Sequence, residues 1–428
     1  MAVKRSMNDL VSPRTGLIPT VVDIERDLGD PCVAVAGAQT ADLSAYGYTQ
    51  REPSSGSGAG LTRETARAAA IGEAVERYAL ALASDHDLVV ASAEELRGRE
   101  PRAVPPDDWA LFAPEQEAAL PFPHFTNETR IAWLEGWSLT RKEPTLVPAC
   151  MVFIPYEPHS DSEEVVTAAT STGTACAGSL NEALLKGICE IVERDAFMIV
   201  WRNRMTCPRV ILDPRTPLGK LVIERFERAG LEYRVFYTTL DLELPSFFGL
   251  AIDTRAAEPT IVAGGAAHPS AETAVLKTYL ELVQGLKWKD YYGSERFPIE
   301  ASFGNVRSFE DRARLYGTND LRAAFDFLDA GGEERPLGLI PSADGRTSTL
   351  DACVRRCSDA GYDVVAADIT PSEAEECGLS VAKVLIPACT LMEGDHTLPF
   401  LGGHRWQDVP VRLGRSAGGI NPYPHPYP

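Results

Sequence analysis

Three stretches of the chain share one layout of apolar and polar positions. TRETARAAAIGEAVERYAL begins at Thr62, SLNEALLKGICEIVERDAF at Ser179 and SAETAVLKTYLELVQGLKW at Ser270. Each opens on a hydroxyl residue suited to cap a helix, and Ser179 with Glu182 has the capping-box spacing. Eleven residues past the cap stands Glu73, Glu190 or Glu281; fourteen past it stands Glu76, Glu193 or Gln284. In the first two copies arginine follows at once, Arg77 or Arg194. The common register predicts one helix-bearing unit used three times. EYRVFYTTL, FFGLAID and TIVAGGAA read as strands before the third helix, TLVPACMVFIP (145–155) as an earlier one, and DVVAADIT and VAKVLIPA as later ones. DLRAAFDFLDA and STLDACVRRCSDAG read as helices. Residues 94–128, rich in Pro, Glu and Asp, read as a surface excursion, and REPSSGSGAGLT as a loop behind a strand pair. This irregular alternation, with several β–β steps, predicts a mixed α/β (α+β) fold in one composite domain.

Residues three apart on a helix face the same way. Here the paired glutamates sit among apolar neighbours such as Ile71, Val75, Ile188 and Val192. One copy alone would be explained by surface ion pairs, Glu73–Arg77 or Glu190–Arg194, worth about 0.3–0.5 kcal/mol each. Two copies and a partial third favour carboxylates gathered in one cleft. Such carboxylates repel unless a cation lies between them. Mg²⁺ takes oxygen ligands and keeps a face for phosphate oxygens, which the two arginines would grip. The pattern predicts a Mg–nucleotide site.

Composition narrows the class. The 428 residues carry a net charge of −20, which argues against a nucleic-acid surface. No apolar run has the length of a membrane span or a secretory signal. Nine scattered cysteines suit a reducing cytoplasm, and Cys353 and Cys357 read as buried thiols. Gly56, Gly58 and Gly60 do not fit a dinucleotide fingerprint, and a P-loop is absent.

The chain ends GGINPYPHPYP, whose prolines preset an extended polyproline arm. Together with the doubled E-x-x-E-R, the S-x-G loop before its second copy and the third helix, this terminus resembles the YcaO family. It resembles in particular the azoline-forming cyclodehydratases that modify ribosomal peptides. The resemblance implies mixed sheets with packed helices around an ATP cleft, with ATP and Mg²⁺ as cofactors. It divides the chain into an N-terminal segment, 1–56, and a catalytic domain, 57–428, that carries the proline arm at 418–428. Glu73, Glu76, Glu190 and Glu193 match the Mg²⁺ ligands under the ATP phosphates. Arg194, Ser171, Thr172 and Glu182 match nucleotide-binding positions, Lys277, Glu281 and Gln284 match the third motif, and Arg77 joins them as a second phosphate-holding arginine. The carboxylate of Pro428 would accept a proton. Ala59, Ala69, Thr172 and Lys277 differ from residues common in the family.

The reaction implied is ATP-dependent conversion of Cys, Ser or Thr in a precursor peptide to thiazoline or oxazoline. Alternatives are thioamide or amidine formation, or a non-catalytic ATP-binding subunit of a modification complex. The partners implied are the precursor peptide, a ThiF-like leader-binding protein, a flavin-dependent dehydrogenase and a second copy of the chain. Neither nucleic acid nor membrane is expected, and the location is cytoplasmic.

Overall fold

The computed structural model describes residues 5–44, 53–255, 259–291, 295–342, 349–415 and 419–427. The chain opens with β1 (Thr20–Ile24), β2 (Ala34–Gln39) and β3 (Ser55–Gly60), then α1 (Arg63–Leu80). Next come β4 (Leu88–Ser92), α2 (Ala93–Leu96), β5 (Arg102–Ala103), β6 (Arg130–Ser138), β7 (Glu143–Pro148), β8 (Thr174–Ala177) and α3 (Leu180–Asn203). The middle comprises β9 (Arg209–Ile211), α4 (Pro217–Arg225), β10 (Leu231–Tyr237), β11 (Ser246–Asp253), β12 (Thr260–Ala267) and α5 (Ala271–Tyr291). The last part holds α6 (Phe309–Thr318), α7 (Asp326–Asp329), β13 (Glu334–Pro336), α8 (Thr349–Asp359), β14 (Val365–Asp368), α9 (Ser372–Glu376), β15 (Ser380–Leu385) and α10 (Arg405–Arg412).

Among the described residues the strands form three sheets, ordered β1-β2-β3, β12-β11-β10-β9-β13 and β5-β7-β6-β14-β15-β8, with β4 also paired to β6. Nearly all pairings are antiparallel, as the β–β steps require. The mixed α/β expectation holds. Helix α3 runs through the centre, with Asp195 to Asn203 buried on every side, which explains why its apolar residues surround the helix instead of forming a stripe.

Several local expectations change. SGSGAG is a strand and not a loop. A Cβ on Gly56 would lie 2.4 Å from the Ala74 nitrogen, and one on Gly58 2.5 Å from the Ala66 oxygen. The glycines let α1 rest its alanines, Ala66, Ala70 and Ala74, directly on β3. The strand expected over 145–155 stops at Pro148, where a 3₁₀ turn (Ala149–Met151) begins. The excursion at 94–128 is anchored, since Trp109 and Leu111 are buried. The Ser179 cap is half a box: its hydroxyl accepts from the Glu182 N–H, while the Glu182 side chain turns away toward Lys186. DLRAAFDFLDA forms a 3₁₀ turn and a single-turn helix, α7.

Candidate active site

The three repeated units are strand–helix pairs. Strands β3, β8 and β12 each end a sheet, and each is followed within a few residues by α1, α3 or α5. In each unit the first glutamate folds back toward the strand that precedes its own helix. The Ser57 N–H donates to Glu73 Oε2 at 2.7 Å, the Gly173 N–H to Glu190 Oε2 at 3.0 Å, and the Gly265 N–H to Glu281 Oε2 at 3.1 Å. The residue one turn later reaches the next unit's strand. The Cys176 N–H donates to Glu76 Oε1 at 2.7 Å. Gln284 Nε2 donates to Ser57 Oγ at 2.5 Å, and Glu193 Oε1 lies 3.5 Å from where a Gly265 Cβ would be. The repeated register therefore closes into a ring of three units around one cleft.

The cleft encloses about 1560 Å³ and is lined by Glu73, Glu76, Arg77, Ser171, Thr172, Glu190, Arg194, Lys277, Glu281 and Gln284. Glu193 sits behind this lining, 6% exposed, with Arg194 Nε 3.2 Å from its Oε1. The Arg194 guanidinium also lies 3.8 Å from both Glu190 and Glu281, and 4.3 Å over the Tyr427 ring. Arg77 pairs with Glu73 at 3.2 Å. Glu182 does not line the cleft; its exposed carboxylate is 3.6 Å from Lys186 Nζ.

Electrostatics mark the cleft as a cation site. Burial, reinforced by the charges of Glu73 and Glu190, raises Glu76 to about 8. Burial and Glu193 raise Glu281 to about 8, and burial also raises Glu193. Burial would lower Arg194, but Glu193 and Glu190 outweigh it and hold the guanidinium firmly charged. The donors are hard oxygens, and the hydrogen bonds fix Glu73, Glu76, Glu190 and Glu281 to rigid backbone. Among the described residues no three acidic, His or Cys side chains come close enough together to hold a metal ion by themselves. The hard oxygen donors suit an ion whose coordination is completed by phosphate oxygens.

The proline arm is not a free tail. Trp201 Nε1 donates to the Tyr423 carbonyl at 3.1 Å, the Tyr316 hydroxyl to the Pro424 carbonyl at 2.7 Å, and His425 Nε2 to the Glu393 carbonyl at 2.8 Å. Tyr427 is fully buried and its hydroxyl donates to Glu193 Oε1 at 3.2 Å. Pro426 lines the cleft. Pro428 lies outside the described residues.

Residues 57–390 match the family described as YcaO cyclodehydratase, ATP- and Mg²⁺-binding. The chain belongs to the YcaO family. ATP and Mg²⁺ are thus its cofactors, as the paired carboxylates predict. It is 26% identical over 348 residues to an uncharacterized protein of Methanothermobacter thermautotrophicus, covering 79% of this chain and 82% of that one. It is also 26% identical over 405 residues to an uncharacterized protein in the tfuA 3′ region of Rhizobium leguminosarum bv. trifolii, covering 90% and 85%. A heterocyclase solved in complex with substrate and cofactor superposes with a TM-score of 0.77 at 26% identity, covering 98% of this chain. This chain spans only 56% of that heterocyclase's length. YcaO from Methanopyrus kandleri, bound with AMPPCP and Mg²⁺, shares the fold with a TM-score of 0.57 at 22% identity, covering 87% and 86%. A chain of the E. coli microcin synthetase McbBCD complex does so at 0.58 and 17%, covering 94% and 96%.

Sequence reasoning missed several residues in and behind this YcaO cleft. Ser57 holds both Glu73 and Gln284, yet it sits in a segment that reads as a loop. Tyr427 was overshadowed by the prolines around it. Lys383 is 1% exposed on β15, and its one signal is a lysine inside the apolar run VAKVLIPA. No helix among the described residues is long and apolar enough to cross a membrane.

Proposed function

We propose that this chain is an ATP-dependent peptide cyclodehydratase that forms thiazoline or oxazoline from Cys, Ser or Thr. The carrying observation is the ring of backbone-anchored carboxylates on which the proline arm closes through Tyr427 and Glu193. A disordered tail would leave that hydroxyl in water.

In the reading we favour, the substrate thiol or hydroxyl adds to the carbon of the preceding amide. The resulting oxyanion takes the terminal phosphoryl group of ATP, releasing ADP. Loss of phosphate with the amide proton then leaves a C=N bond. Glu73, Glu76, Glu190 and Glu193 would hold Mg²⁺, which supplies positive charge against the phosphates. Arg77 and Arg194 would grip phosphate oxygens, and Ser171, Thr172, Lys277, Glu281 and Gln284 would position the nucleotide. Glu182, which does not line the cleft, would act through Lys186, which does. The carboxylate of Pro428 would take the amide proton; the bond from the preceding Tyr427 hydroxyl to Glu193 supports this reading.

Residues 57–428 would be the catalytic domain, with the described part of 1–56 built into it, because β1 and β2 share a sheet with β3 and Val22 and Gln39 line the cleft. A ThiF-like partner would present the precursor, a flavin-dependent dehydrogenase would oxidise the azoline, and the chain would act as a homodimer in the cytoplasm. The shared fold with a chain of the McbBCD complex supports a role beside partner subunits.

The test is incubation with ATP, Mg²⁺, partner and precursor, read by mass spectrometry. Loss of one water per modified residue supports cyclodehydration. Replacement of oxygen by sulfur would instead give a thioamide former, and no ATP turnover a binding subunit.

A further inference from the structure

The Lys383 amine is held inside the fold by two backbone carbonyls. Nζ donates to the Thr170 carbonyl at 2.7 Å and to the Thr172 carbonyl at 2.9 Å. Among the described residues it has no carboxylate within ion-pair distance, and burial lowers it to about 7 against the pull of Glu190. Arg77 is the other charge that acts on it. A buried cation without a counter-ion is costly, so the site needs a reason to keep it.

The reason lies in the loop it grips. Gly173 fixes the following residue: its carbonyl accepts from the Val384 N–H at 2.8 Å, and its N–H donates to Glu190. Its φ of +85° and a Cβ position 2.3 Å from the Val384 carbonyl admit only glycine. Ser171 is therefore the apex of a short arch. One foot is Gly173, bonded to Val384 of β15, and the carbonyls on either side of the apex point at Lys383. With those carbonyls turned inward, Ser171 faces the cleft, which it lines together with Thr170 and Thr172.

We propose that Lys383 is a positioning residue that latches the 170–173 loop to β15 and so presents Ser171 to the nucleotide phosphates. This rests on the ATP-site reading above and assigns a role to a strand residue outside the helical motifs. The latch explains why a lysine stands buried in β15 with no carboxylate within ion-pair distance among the described residues.

The test compares wild type with Lys383→Met and Lys383→Arg. Calorimetry reads Mg–ATP binding, hydrogen exchange reads the amides of 170–173, and thermal melting reads the fold. Removing two charge-assisted bonds should weaken Mg–ATP binding by at least about tenfold and speed exchange of those amides, with the melting temperature little changed. Lys383→Arg, which keeps donors, should recover part of both. Native affinity and exchange in Lys383→Met would overturn the latch. Unfolding of both variants would also overturn it by assigning Lys383 to the core. Absence of Mg–ATP binding by wild type would sink the nucleotide reading itself, a separate result.

Discussion

The Tyr427 hydroxyl donates to Glu193 Oε1 at 3.2 Å while its ring lies under the Arg194 guanidinium, 4.3 Å away. One aromatic side chain thus ties the arm to Glu193 and Arg194, two of the three charged residues of the second E-x-x-E-R motif. Gly265 makes room for it, since a Cβ there would fall 2.2 Å from the Tyr427 oxygen. Gly265→Ala should therefore expel the arm and abolish azoline formation; because Gly265 also anchors Glu281 and a Cβ there would meet the Phe247 carbonyl at 2.5 Å, Mg–ATP binding should weaken with it. Product mass and calorimetry on the same preparation check it. Two glycines appended after Pro428 should likewise abolish azoline formation, whereas an unanchored terminus would tolerate them.

Glu76→Gln and Glu193→Gln keep shape but remove a hard anionic ligand. Mg²⁺-dependent ATP hydrolysis should fall at least about a hundredfold in each, as for loss of a positioned charge in phosphoryl transfer. Near-native turnover in both would defeat the carboxylate-ring assignment.

The same carboxylates give a pH signature. Burial raises Glu76 to about 8 and raises Glu193 as well, so at neutral pH Glu76 holds a proton that a metal must displace. Mg²⁺ binding should release protons below that pH and tighten as pH rises toward 8, then level off. Calorimetry in buffers of different ionisation enthalpy measures the proton count, and a pH-independent affinity would contradict the shift.

Arg194→Lys keeps the charge and loses the planar fork that can grip two oxygens and stack on Tyr427. The KM for ATP should rise or turnover should fall, by about tenfold, with thermal unfolding shifted only slightly. A large loss of stability with native kinetics would make it a structural ion pair instead.

His425 is fully buried, with Nε2 donating to the Glu393 carbonyl and burial holding its pKa well below the ordinary 6.5. The unfolded chain takes up this proton near pH 6.5 and the folded chain does not. Stability should therefore be full above that pH and fall by about 1.4 kcal/mol per unit below it. Melting of wild type against His425→Phe measures the difference, which should vanish in the variant's acid limb.

The sequence by itself determined the parts whose signal is local. Caps at Thr62 and Ser179 with a common spacing set the three helices in register, because helix periodicity fixes which residues share a face. That was enough to bring out Glu73, Glu76, Glu190, Glu281 and Arg194 as one site. What only the tertiary structure decided is where each second-turn residue goes. Glu76 reaches Cys176 and Gln284 reaches Ser57, partners far along the chain that no spacing rule links. The glycines of β3 read as a flexible loop because their purpose, the close seating of α1, exists only once the helix is there. Lys383 was hidden for the same reason: its acceptors are carbonyls of a remote loop, and backbone groups carry no mark in the amino-acid sequence.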